Sequence, residues 1–544
     1  MSLFRKCTTL SLLFALPLSA LALQRTDLLP PQGRSYVRIS NTENFIADLQ
    51  KSSLGKLWAD PQFQDFIGNP DQEIWNSFFF EGASKEEDEL FVEQMKLLTG
   101  EVVLAFDIEN ENIYIIADMS EEDFQHSLKL DEKLQHITED PFDLMKSSFQ
   151  GVEMIQHIDN PGSGLEISSW QAHVDQTFVF GYTREWVEQC IIRLKNNAIE
   201  EPTGYPAVTV NLPVKALMLE SFEAEDHALF EALGLLGIEN FSCNIELRDS
   251  EIIVDNHLII EDLRRGLFSV LNTEPSELPT VTFIPENIAS LEVGRIDLLR
   301  LWKEIPVILS QYDPAAKSQF NIIAGMIRQQ TGIDFEHDLL ANLGTKYIAF
   351  STDGEKQTSI IAVELNDGTA FKYSLESALS TPAMQPYVAS GLEISEFLDH
   401  VIYTLKNADP SHAVGIAVTA DYLFYGEPEG LRQVLRSISN EAAANMAFEH
   451  TELVQGLRKE VPRAAFGFGA IDWKKNMDAV LSELSQPEYR MLIGKNWAIS
   501  GVDFPPLDFS KLPPADHISS FFNVSYQYIE ANNNGLHQKI ILKN

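Results

Sequence analysis

The chain has 544 residues, 44% hydrophobic and 10% aromatic, which supplies packed cores and excludes a disordered tail. Its 80 acidic residues against 40 basic ones give a formal charge of −40, a field that repels phosphate backbones and argues against nucleic-acid binding. The acids are spread along the chain, as on a solubilising surface, and the length calls for two or more domains.

At the start, Arg5 and Lys6 precede an apolar run from Leu10 to Ala20, interrupted only by Ser11, Pro17 and Ser19. Ala20-Leu21-Ala22 then offers small residues at a cleavage site, so residues 1–22 read as a signal peptide cut before Leu23. The run falls short of the roughly 20 apolar residues a bilayer span needs. Cleavage removes Arg5 and Lys6, leaving 38 basic against 80 acidic residues and a balance of −42. The expectation is an exported chain, periplasmic or extracellular, with no transmembrane segment after cleavage.

In the first half, Ser40-Asn41-Thr42-Glu43 has capping-box spacing and predicts one helix carrying Phe45, Ile46, Leu49 and Leu57, ended by Asp60-Pro61. Helical regions follow over 62–80 and from Lys85 to a stop at Gly100, with Glu86-Glu87-Asp88-Glu89 at the favourable N-terminal end. Strands are expected at 102–107, 113–117, 151–158, 165–173 and 176–182, with a helix start at Ser120 and a helix over 184–196. Phe241–Leu247 and Ile252–Ile260 alternate around Asp249-Ser250 as a hairpin, and Phe521–Ile529 with Leu536–Leu542 do the same around Asn532-Asn533-Asn534-Gly535.

The second half repeats the first. Gly100-Glu101-Val102-Val103-Leu104-Ala105-Phe106 returns as Gly344-Thr345-Lys346-Tyr347-Ile348-Ala349-Phe350, and Ile115-Ile116-Ala117 as Ile360-Ile361-Ala362. Gly151-Val152-Glu153 returns as Gly391-Leu392-Glu393, and Phe178-Val179-Phe180-Gly181 as Leu423-Phe424-Tyr425-Gly426. The order is kept at nearly constant spacing, which predicts a duplicated unit. The fold expectation is α+β, two tandem copies of a mainly antiparallel sheet unit with packed helices, residues 23–272 and 273–544, divided at the proline-rich Asn272–Pro279. Leu29-Pro30-Pro31 and Leu512-Pro513-Pro514 are read as entries into sheets.

Motifs that carry chemistry are thin. The chain has no nucleophile elbow, phosphate loop, His-Glu-x-x-His or paired Cys-x-x-Cys. Gly467-Phe468-Gly469 lacks the third glycine of a dinucleotide fingerprint and sits in a strand pattern; Ser53-Leu54-Gly55-Lys56 lacks the companion motif of penicillin-recognising enzymes. Glu336-His337-Asp338 is a local group of ligand types that diverge in direction, and the acidic turn Asn366-Asp367-Gly368 lacks a calcium loop's alternation. No two of the 12 histidines have metal-ligand spacing on an evident shared face, so no metal or cofactor is expected. Cys190 shares a helical face with Trp186 and Leu194, and Cys243 a strand face with Phe241 and Ile245; both read as core, with a disulfide between them left open. Trp75, Phe78, Phe79 and Phe80 concentrate four aromatics in six residues. They read either as a helical core face or as a surface anchoring a partner or lipid chain, and are the candidate binding residues.

Leu29-Pro30-Pro31, through Tyr36-Val37-Arg38-Ile39, to Leu54-Gly55-Lys56-Leu57-Trp58-Ala59-Asp60-Pro61 resembles a family of uncharacterised exported bacterial proteins defined by a domain of unknown function. The resemblance covers the first forty residues after the signal best and both halves loosely. It implies export and a repeated α+β fold, and no catalytic residue is carried over.

These features lead to an exported, non-catalytic scaffold or binding protein of the bacterial envelope, with an envelope protein, lipid or glycan as partner. The alternatives are an exported hydrolase with dispersed Asp, Glu and His residues, and a structural subunit of an envelope assembly.

Overall fold

The computed structural model describes residues 23–30, 35–67, 85–107, 112–137, 142–159, 161, 167–199, 206–263, 265–271, 274–278, 281–353, 357–406, 413–439, 448–484, 509–532 and 534–544. The expected signal segment, the aromatic run Trp75–Phe80 and the linker residues Asn272 and Thr273 lie outside the described residues.

Hydrophobic alternation and local capping build the first half in the following order. Strand β1 (Ser35–Ile39) leads into short helices α1 (Thr42–Lys51), α2 (Ser53–Trp58), α3 (Pro61–Ile67) and α4 (Lys85–Met95). Then come β2 (Val102–Asp107), β3 (Asn112–Asp118), α5 (Glu121–Ile137), β4 (Phe142–Phe149), β5 (Val152–Asp159), β6 (Ile167–Val174), β7 (Thr177–Gly181) and α6 (Arg184–Asn196). The half closes with β8 (Val208–Leu212), α7 (Val214–Ser221), α8 (Ala224–Leu233), β9 (Ile238–Arg248) and β10 (Glu251–Ile260).

The second half opens with β11 (Ser276–Glu277), β12 (Ile288–Arg295), α9 (Leu298–Tyr312) and α10 (Pro314–Thr331). It continues through β13 (Leu343–Thr352), β14 (Ser359–Leu365), α11 (Gly368–Ser380), α12 (Gln385–Gly391), β15 (Leu392–Phe397), β16 (His400–Leu405), β17 (Gly415–Val418), β18 (Tyr422–Gly426) and α13 (Pro428–Ser439). Last are α14 (Glu452–Glu460), β19 (Ala464–Ala465), β20 (Gly467–Asp472), α15 (Trp473–Leu484), α16 (Ala515–Ser519), β21 (Val524–Asn532) and β22 (Gly535–Lys543).

The protein is α+β. Among the described residues, twenty strands form one sheet, while β11 and β19 pair separately. From one edge to the other the pairings, all antiparallel, run β4-β5-β6-β7-β3-β2-β1-β8-β9-β10, then β22-β21-β20-β12-β13-β14-β18-β17-β16-β15. The two lists have the same connectivity when each is read inward from its edge. They meet at β10 and β22, where Glu251 lies opposite Lys543 and Ile259 opposite Gly535.

Each half folds an amphipathic helix onto its sheet at the same place. Helix α6 sets Trp186, Val187, Cys190 and Ile191 against Val103, Ile116, Ala172 and Val179. Helix α13 sets Leu431, Val434 and Leu435 against Ile360, Ala362, Ala417 and Phe424. A further apolar cluster joins the halves: Leu57 and Phe63 pack with Met477, Trp473 and Ile518. There His517 Nε2 lies 2.9 Å from Asp60 Oδ1, and Lys511 Nζ 2.9 Å from Asp65 Oδ1.

Several local expectations are corrected. The long helix expected after Ser40 is broken, because the Asn41 side chain caps at Asn44 N and the Ser52 hydroxyl caps again at Gly55 N. Ser40 itself donates to the Pro206 carbonyl. Asp60 does not simply end a helix: its carboxylate accepts from the Gln62 and Phe63 amides and starts α3. Strand β4 was not expected, since its mixed residues lie at an edge and are largely wet. Asp367, in the acidic turn, caps α11 at the Ala370 amide, and Pro514 precedes a helix instead of a strand.

Candidate functional site

Three places gather side chains capable of chemistry or recognition. The first is the seam. Residues 249–250 and the turn after Asn532 each set two strands in tight register, so that β10 and β22 run side by side at the middle of the sheet. Directly opposed residues of an antiparallel pair share a face with Cβ atoms about 5 Å apart. His257 is opposite His537, and their rings stack with centroids 4.4 Å apart and 5° between planes. Asp255 Oδ1 lies 2.6 Å from His537 Nε2 and 3.0 Å from His257 Nε2. On the other side of the His537 ring, Nδ1 is 3.2 Å from Glu530 Oε2. The Tyr528 ring meets His537 edge-on at 5.9 Å, and its hydroxyl pKa is raised by burial first, then by Glu530 and Asp255. Side-chain exposures of 44% for His257, 27% for Asp255 and 21% for His537 leave the cluster reachable from solvent. Among the described residues, these three are the ones placed to hold a metal ion together. Sequence spacing missed them, because 280 residues separate the histidines; the paired hairpins were the available signal, and the pairing between hairpins was not legible.

The second place is buried. Asp131 of α5 receives the amides of Gln94, at 2.5 Å, and Gln171, at 2.9 Å, and lies 3.8 Å from His157 Nε2. Burial raises the Asp131 carboxyl and lowers the His157 imidazole, each opposed in part by its partner's charge. Phe142 stacks on the His157 ring and Phe180 meets it edge-on. Rings and amides cover most of the pair, whose side chains keep 15% exposure at His157 and 9% at Asp131.

The third is the helical hairpin α9–α10. Trp302 of α9 packs on Phe320 at 5.0 Å and Phe335 at 4.8 Å, forming a groove of about 350 Å³. Beyond that contact, α10 presents Ile322 at 62% exposure, Ile323 at 57%, Met326 at 51% and Ile327 at 41%. These positions fall on one helical face. The eighteen residues of α10 contain no Asp or Glu, although the chain carries 80 acids, and they include Lys317 and Arg328.

The candidate residues Trp75, Phe78, Phe79 and Phe80 lie outside the described residues. Cys190 and Cys243 are both free thiols, so the open disulfide is not formed; burial pushes the Cys190 thiol up to about 12. Glu336, His337 and Asp338 do not converge: His337 pairs with Asp334 at 3.2 Å, and Glu336 with Lys303 at 3.5 Å. A cavity of about 650 Å³ beside α6 is lined by Tyr114, Thr183, Trp186 and Cys190, with Asp107 and Glu185 at its polar side. No helix among the described residues is long and apolar enough to cross a membrane.

No family model matches the chain, and no curated protein matches it. Among solved structures, crystal form I of TP0453 is similar at 11% identity and a TM-score of 0.23, over 47% of this chain and 89% of that one. Crystal form III of the same protein gives 10% identity and a TM-score of 0.22, over 46% and 90%.

Proposed function

We propose that this protein is an exported, non-catalytic binding protein of a bacterial envelope, that its two units derive from one duplicated module, and that it engages a lipid surface through α10. The observation that carries this reading is the exposed stripe Ile322, Ile323, Met326 and Ile327. An exposed apolar stripe on a surface helix is the pattern of contact with something apolar. Local charge selects the occupant. A helix free of carboxylates, with Lys317 and Arg328 on the face opposite its apolar stripe and Arg328 paired to Asp334, has the division into faces of a helix lying in a bilayer interface. The expected aromatic run Trp75–Phe80 falls in the corresponding insertion of the first half, between the first and second strands, which places a second apolar segment at the matching point of the sequence. A hydrolase finds less support, because in the buried Asp131–His157 pair both carboxylate oxygens of Asp131 are engaged by Gln94 and Gln171.

Flotation with phosphatidylcholine vesicles tests the reading. The chain is expected to float, and Ile322→Asn with Met326→Asn to lose most of its binding. Burial of two such side chains contributes about 3 kcal/mol or more, roughly a hundredfold in partition. A wild-type chain that stays in the pellet fraction, or a folded double variant that floats equally well, would sink it.

A further inference from the structure

We propose that Asp255, His257 and His537 form a binding site for one borderline divalent transition ion, zinc foremost, which ties the two halves of the molecule together at their seam. Two imidazole Nε2 atoms approach the same carboxylate oxygen, at 2.6 and 3.0 Å. When His537 donates its Nδ1–H to Glu530, its Nε2 carries a lone pair and faces Asp255 as one electron-rich atom against another. In that tautomer a cation bound to both atoms satisfies them together. The two rings stack at 4.4 Å with both Nε2 atoms turned to Asp255 Oδ1, the convergence that a shared ion requires. A single divalent ion would bond to both nitrogens and the carboxylate at one point.

The surrounding groups fit such an ion. Glu530 on the far nitrogen of His537 is the outer carboxylate that orients a metal-binding histidine and strengthens its ligation. Two nitrogens and one oxygen suit zinc and its neighbours better than calcium or magnesium, which demand six or more oxygens. Three protein ligands leave a position for water. The charge of −40 concentrates cations around the chain. Lys539 lies opposite Asp255 in the ladder, yet the Asp255 carboxylate is engaged by the imidazoles.

The pairing of β10 with β22 contains its own comparison. Arg248 pairs with Glu251 before β10 continues, and Asn532 pairs with Gly535 before β22 continues. Counting from those turns, His257 corresponds to Ile541 and His537 to Ile253. Ile253 and Ile541 are themselves directly opposite, and both are buried. The ladder therefore closes with two isoleucines on one side of the centre and two histidines on the other. Sheet pairing alone does not call for imidazoles there.

The test is titration of the purified, metal-stripped chain with zinc chloride by calorimetry and with cobalt chloride by visible absorption. The expected result is one zinc per chain, ligand-field bands of bound cobalt that zinc abolishes, and a rise in unfolding temperature on loading. His257→Ile with His537→Ile copies the counterpart pair, so it should fold and unfold like the stripped wild type while binding at least a hundredfold more weakly. Absence of heat and of cobalt bands in the wild type would overturn the proposal. So would a folded double variant that binds as tightly as the wild type, or nitrogen-correlated NMR showing both rings doubly protonated at pH 7 with or without zinc.

Discussion

Glu101 shows how one residue can hold a whole unit. Its two oxygens meet Arg25 Nη1 at 2.7 Å and Arg38 Nε at 2.5 Å, and all three side chains are nearly inaccessible. Arg25 also reaches Asp118 at 3.3 Å. The repeat places Thr345 where Glu101 stands, and there Arg295 Nη1 donates to the Thr345 hydroxyl at 3.0 Å. The second half is thus closed by a neutral group, the first by buried charge. Removing one partner of a buried ion pair leaves the others uncompensated, so Glu101→Gln should cost about 3–5 kcal/mol, read from the urea midpoint. His157 governs a pH effect. Burial lowers its pKa below the ordinary value of about 6.5, so the folded state resists a proton that the unfolded chain accepts. Stability then falls as pH drops from about 6.5 towards the lowered folded value, by at most about 1.4 kcal/mol per unit. Asp131 acts in the opposite sense: its carboxyl pKa is raised, so acid relieves its burial at pH values between that raised pKa and the ordinary one. Between pH 7 and 6 the wild type should lose more melting temperature than His157→Gln; equal losses would refute the assignment.

At the scale of elements, the strands were largely legible and the helical insertions were not. Alternation in Phe241–Leu247 and Ile252–Ile260 marks β9 and β10, because a sheet with unlike faces repeats every second residue. The helix over 184–196 was equally plain, since Trp186, Cys190 and Leu194 return at helical spacing and all are buried. Pro428 begins α13 because proline's fixed φ suits a first turn and its missing N–H is not needed there. Between β1 and β2 the expectation failed: Ser52 was read as interior to a helix, yet its hydroxyl serves the Gly55 amide. A side-chain cap competes with helix continuation, and hydrophobic spacing does not record which wins. α10 illustrates the opposite limit. Its apolar residues have the periodicity of a core face, and that pattern is identical whether the face meets the protein or something outside it. The seam site was hidden for a related reason: each hairpin could be read, but their contact depends on how the two sheets join.

At the scale of the whole molecule, the sheet is continuous from β4 to β15, so the halves share a backbone ladder and not merely a surface. The second link, where Leu57 and Phe63 meet Met477 and Ile518, makes a separate apolar tie between insertions of the first half and helices of the second. Cutting the chain in the linker would uncover β10 along its length, and an unpaired edge strand seeks another strand. Residues 23–271 expressed alone should therefore dimerise, as sedimentation would show; a stable monomer would count against it. The pairing of β10 with β22 joins corresponding strands of the two halves antiparallel to each other. That is the geometry of a two-fold homodimer contact, in which one patch meets a copy of itself. A self-associating ancestor whose two chains became one would leave this arrangement. On the proposed origin from one duplicated module, fusion would free each flank of that axis to change independently, with two imidazoles arising on one side while isoleucines persist on the other.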